Sequence, residues 1–129
     1  MPGVSLQRRA GLWLPPLGYM ATIYGLSAQS DPMPAVTAHV WDKFLHAFEY
    51  GALAILVARA LMGEGLAWLA AGLAAIVLAS LYGGSDEYHQ FFVPGRSSDV
   101  HDWVADTIGA AIGTSAYLAA LLTGLLPRR

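Results

Sequence analysis

Cysteine is absent from the 129 residues, which removes disulfides, thiolate metal centres and a cysteine nucleophile from consideration. Charge is nearly as scarce. Only 12% of the residues are charged while 56% are hydrophobic, against about a quarter charged in an ordinary soluble domain. So few charges cannot coat a soluble surface, and the composition equally excludes a disordered chain, a coiled coil and a free nucleic-acid binder. Internal repeats and low-complexity tracts are missing as well.

What the chain has instead is long uncharged runs. Ala10 to Ser30, Gly65 to Ser85 and Thr107 to Pro127 hold no Asp, Glu, Lys or Arg, and Phe44 to Met62 holds only Glu49 and Arg59. About 20 helical residues at roughly 1.5 Å each cross a hydrocarbon core of about 30 Å. The sequence therefore predicts an all-α polytopic membrane protein, a single domain over 1–129 with transmembrane helices at 12–29, 41–62, 66–92 and 99–126. The short turn at Met62-Gly63-Glu64-Gly65 favours antiparallel neighbours, hence a four-helix up-down bundle. Asp31-Pro32-Met33-Pro34 breaks the chain between the first two spans. Pro94-Gly95 supplies turn chemistry before the last span, with Ser97, Ser98 or Asp99 as its N-cap.

Arg8 and Arg9 ahead of an apolar run also resemble the start of a secretory signal. The run is long for a signal core, and Ser27-Ala28-Gln29 is a poor cleavage pattern, so a retained first helix is expected. Pro15-Pro16 either begins its regular part or kinks it. Orientation follows from the basic residues. Arg8, Arg9, Arg59, Arg128 and Arg129 fall on one side, Lys43 and Arg96 on the other. That bias predicts cytoplasmic termini.

Most acidic residues gather at the predicted outer end. Asp42, His46 and Glu49 are spaced i, i+4 and i+7, as Asp99, Asp102 and Asp106 are spaced i, i+3 and i+7, so each set lies on one helix face. The second face continues into Gly109 and Gly113, a pair that lets another backbone approach closely and so turns the carboxylates into the bundle. The third helix ends Ser85-Asp86-Glu87-Tyr88-His89-Gln90, where Glu87 and Gln90 share a side with Ser80 and Gly83. Two explanations fit. One is a structural network in which Lys43 and Arg96 neutralise two carboxylates and others cap helices; the other is a polar pocket opening outward between helices two, three and four.

Single residues carry similar alternatives. Arg96 suits either an anionic ligand or a tie to Asp99 or Asp102. Glu87 and Asp102 are a candidate proton-sharing pair. Asp86-x-x-His89 and Asp42-x-x-x-His46 have helical metal-ligand spacing, but without a His-Glu-x-x-His motif neither a metal nor another cofactor is expected. Trp13, Trp41, Trp68 and Trp103 lie near span ends, as interfacial anchors do.

Asp42-Lys43-Phe44-Leu45-His46, then Ser85-Asp86-Glu87-Tyr88-His89-Gln90-Phe91-Phe92-Val93-Pro94-Gly95-Arg96, then Asp99-x-x-Asp102-x-x-x-Asp106-x-x-Gly109 together resemble the VanZ-like family of small membrane proteins. The match runs in order over positions 40–115. The resemblance implies a cell-envelope membrane protein; the family takes its name from a protein associated with teicoplanin resistance and implies no established reaction. Many relatives carry Asn where this chain has Asp106. The expected partners are membrane lipids and a lipid-linked envelope precursor or other anionic ligand. A pocket binding such a ligand is the first expectation, an acid–base hydrolase or transferase using Glu87, Asp102, Asp106 and Arg96 on a lipid headgroup the second. A small transporter is the third, disfavoured by the few ionisable groups in the inner halves of the helices.

Overall fold

The structure is a computed structural model that describes residues 4–30 and 40–127. The Asp31 to Pro34 segment, Arg128 and Arg129 lie outside the described residues. Four helices account for nearly all the regular structure: α1 (Leu6–Ser27), α2 (Val40–Gly63), α3 (Trp68–Gln90) and α4 (Val100–Leu122). No strand occurs among the described residues.

Each of α2, α3 and α4 is long and apolar enough to cross a membrane. Helix α1 is of similar length but does not reach that standard; its first turns carry Arg8 and Arg9, and its apolar run is diluted by Gly, Pro, Ser and Thr. It starts at Leu6, several residues ahead of the expected span, because Ser5 accepts a hydrogen bond from Arg8 N at 3.3 Å and caps it. Both Pro15 and Pro16 lie inside the helix. Pro15 cannot donate to Gly11 O, and the Arg59 guanidinium takes that carbonyl at 3.4 Å.

Side-chain contacts set the helix directions. Glu64, just past α2, accepts from Arg9 Nε at 3.2 Å and from Trp13 Nε1 at 3.1 Å, so α1 and α2 run antiparallel. Ser80 and Thr107 share a hydrogen bond at 2.8 Å and Trp103 donates to Ser80 O at 2.8 Å, which locks α3 against an antiparallel α4. Trp13 and Trp103 therefore work as interhelical donors, a role beyond the anchoring expected of them.

The closest approach is between α2 and α4, which run parallel. A Cβ on Gly109 would overlap the Ala47 backbone, and one on Gly113 would lie 2.9 Å from Gly51 Cα. Three glycines thus let two backbones touch. Around them Tyr50, Leu53, Ala54, Ala58, Ala75 and Ala110 form a core of mostly small residues. Large apolar side chains such as Leu73, Val77, Ile108 and Ile112 point outward. Ile112 is 65% exposed while Asp106 is 0%, the inside-out distribution expected where the surrounding solvent is lipid.

Candidate functional site

The parallel start of α2 and α4 brings their first two turns side by side, and the end of α3 closes the third side. Asp99 caps α4 by accepting from His101 N at 2.9 Å, and Asp99 N in turn donates to Glu87 Oε2 at 2.9 Å. The Pro94-Gly95 turn before it closes with Arg96 N donating to Val93 O at 3.1 Å, Gly95 taking φ +80°. Lys43 bridges the helices, with Nζ donating to Asp99 Oδ2 at 2.9 Å and to Asp102 Oδ1. The Lys43 ammonium first, and then the His101 backbone and ring, hold the Asp99 carboxyl below the usual carboxylate range.

His46 occupies the centre. Its Nδ1 lies 2.7 Å from Asp106 Oδ1, and its Nε2 faces Asp102 Oδ2 at 3.7 Å and Asp42 Oδ1 at 3.8 Å. The ring, Asp102 and Asp106 are all buried. Gly83 makes room for Asp106, since a Cβ there would fall 2.7 Å from Asp106 Oδ2. That oxygen and Glu87 Oε1 are buried without a hydrogen-bond partner among the described residues. Two trios bring ligand-type atoms within 4.8 Å of one another, Asp42–His46–Asp102 and His46–Glu87–Asp106.

The remaining expected residues form a second, looser group. Glu49, Asp86, Gln90 and Arg96 line a cavity of about 270 Å³ whose other walls include Tyr19, Ile23, Leu26, Leu45 and Phe48. Gln90 donates to Asp86 Oδ2 at 3.3 Å. Arg96 makes no ion pair among the described residues; its guanidinium donates to Gln29 O at 3.5 Å. Neither Asp99 nor Asp102 is tied by it. Glu87 and Asp102 likewise make no hydrogen bond to each other. His89 stays away from the cluster, stacked on Tyr24 with ring centroids 4.5 Å apart, so the Asp86-x-x-His89 spacing assembles no ligand set.

A smaller polar cavity of about 110 Å³ adjoins the cluster, lined by Asp42, His46, Gln90, Gly95, Arg96, Ser97 and Asp102. It shares Asp42, His46, Gln90 and Arg96 with the apolar-walled one. A further cavity, about 680 Å³, is at the opposite end, where Arg8 and Arg59 are its charged lining among mostly apolar residues; it holds none of the site chemistry. The contribution of α1 to the site, through Tyr19, Ile23 and Leu26, had no signal in the sequence because those residues read as ordinary span residues. Gly51 and Gly83 were equally silent, since a helical glycine shows its purpose only against the neighbour it admits.

The family model described as VanZ/LLP1 matches residues 6–123, nearly the whole chain and all four helices. No curated protein and no solved structure matches it.

Proposed function

Because this chain belongs to the VanZ/LLP1 family of membrane proteins, we propose that it is a multi-pass protein of the bacterial cytoplasmic membrane which binds an amphiphile with an anionic headgroup. In this reading α1 is a fourth span, the termini are cytoplasmic, and the polar ends of α2 and α4 face outward. The ligand is a lipid-linked envelope precursor, and its capture alters susceptibility to teicoplanin-type glycopeptides.

One observation carries the reading: an apolar-walled cavity and a polar one share Asp42, His46, Gln90 and Arg96. A tail would lie against Ile23, Leu26, Leu45 and Phe48, and a phosphate would meet Arg96, whose guanidinium has no carboxylate partner among the described residues. An Arg fork reads an anionic oxygen pair well.

The test is retention of a long-chain prenyl phosphate by the purified protein, followed by native mass spectrometry against a neutral diacylglycerol. The native chain should retain the phosphate preferentially, and Arg96→Gln should weaken it about tenfold to a hundredfold, the loss expected for a charge-assisted hydrogen bond of about 1.5–3 kcal/mol. Equal retention of both lipids, or no effect of Arg96→Gln, refutes the reading. The His46–Asp106 pair favours a second one, an acid–base hydrolase or transferase acting on the headgroup, because a carboxylate-held imidazole facing a cavity is built as a general base. Release of inorganic phosphate or headgroup exchange on incubation would distinguish it from a binder.

A further inference from the structure

We propose that His46 Nε2, Asp42 and Asp102 form a divalent-cation site, with Asp106 as the outer carboxylate that orients the imidazole. A carboxylate accepts hydrogen bonds, so the 2.7 Å contact with Asp106 Oδ1 puts the ring proton on Nδ1. In the neutral form that a metal ion requires, the Nε2 lone pair faces two more acceptors, Asp102 Oδ2 at 3.7 Å and Asp42 Oδ1 at 3.8 Å. Three acceptors facing one another with no donor between them repel. A cation among them reverses that sign.

The spacing suits one. Two ligands at about 2.1 Å from a common ion are roughly 3.0–3.7 Å apart for angles between about 90° and 120°; the two Nε2 contacts at 3.7 and 3.8 Å stand at the upper end of that range, and the ligand atoms of the three residues lie within 4.8 Å of one another. Lys43 engages Asp102 through Oδ1, which leaves Oδ2 for the ion. A carboxylate on the far ring nitrogen is the arrangement that fixes tautomer and orientation in histidine metal sites.

A separate observation points the same way. The His46 side chain is 8% exposed, yet Nε2 has no hydrogen-bond partner among the described residues. Two further buried acceptors beside the ring, Glu87 Oε1 and Asp106 Oδ2, also lack partners. Unpaired acceptors in the interior are costly, and the Lys43 ammonium is engaged by Asp99 and Asp102 instead. The polar cavity of about 110 Å³ beyond Nε2 has room for water to complete the coordination. One imidazole and two carboxylates suit Mn²⁺ or Zn²⁺. The site stands whether or not a lipid headgroup binds. It also competes with the acid–base reading, because an Nε2 that ligates a metal cannot take up a proton.

Mn²⁺ alone, titrated into the chelator-stripped full chain in detergent, tests this through the electron paramagnetic resonance signal of the free ion. The native chain should remove one Mn²⁺ per molecule and release it to Zn²⁺. His46→Gln and Asp42→Asn should each weaken binding about tenfold or more, the scale of losing a site interaction, while Glu64→Gln at the opposite end should not. Asp42 stands 3.9 Å from Lys43 Nζ and Asn keeps its shape and hydrogen-bonding capacity, so Asp42→Asn, its fold checked by helical circular dichroism, decides the matter if His46→Gln does not accumulate. Failure of the native chain to remove the ion overturns the site. So does removal that Asp42→Asn leaves unchanged, which would place the ion on exposed carboxylates.

Discussion

At the scale of single residues, the polar end works by division of labour among carboxylates of similar sequence appearance. Asp99 caps a helix and holds Lys43, Asp106 holds a ring, and Glu87 receives the backbone of Asp99. The Asp99 carboxyl is held down chiefly by Lys43. A carboxyl whose folded pKa is depressed contributes stability above its unfolded value of about 3.9, and that contribution fades as pH falls towards the folded value. The difference in melting temperature between the native chain and Asp99→Asn should therefore be full at pH 7, persist at pH 5 and shrink below about pH 4. A constant difference down to pH 2.5 would show that capping geometry, not charge, is what Asp99 supplies. The sequence marked Asp42, His46 and Glu49 as sharing a face, which helical periodicity dictates. It did not tell that His46 reaches across to Asp106 while Glu49 lines the other cavity, because which neighbour a face meets is decided between helices.

At the scale of elements, glycine placement decides how close α2 and α4 come, and that distance decides whether His46 can reach Asp106. The Ala47 backbone fills the space where a Gly109 side chain would lie. Gly109→Ala should cost about 1–3 kcal/mol through overpacking and lower the melting temperature in detergent, and Gly109→Leu should prevent stable accumulation. Gly18 of α1 has nothing within 4 Å of its Cβ position, so Gly18→Ala should be neutral or gain about 0.5–1 kcal/mol from helix entropy. Equal effects at the two positions would dismiss the close-approach account. Helix α1 shows the opposite economy: it makes fewer contacts than the other three helices, keeps two internal prolines, and relies on Arg59 for one of the carbonyls they strand.

At the scale of the whole molecule, polarity is sorted along the bundle axis. The described basic residues Arg8, Arg9 and Arg59 lie towards one end with Glu64, and the other described carboxylates, Lys43 and Arg96 towards the other. The positive-inside bias then predicts that the Pro94-Gly95 turn faces outward. With no native cysteine, a cysteine placed at Ser97 should react with an impermeant reagent in intact cells and one at Ser5 should not. Reversed labelling would invert the bundle and place the polar cavities in the cytoplasm.

Length and composition alone determined that the chain is helical and apolar enough for a membrane, because a span is a property of about twenty consecutive residues and needs no partner to be recognised. Local spacing determined which side chains share a face and that Gly109 and Gly113 mark a contact. The tertiary structure decided the rest. It paired α2 with α4 rather than α3 at closest range, sent His89 to Tyr24 instead of a ligand set, left Arg96 without a carboxylate among the described residues, and brought α1 into the wall of the apolar cavity. Each of these depends on the distance between two residues far apart in the chain, which periodicity does not encode and backbone packing does.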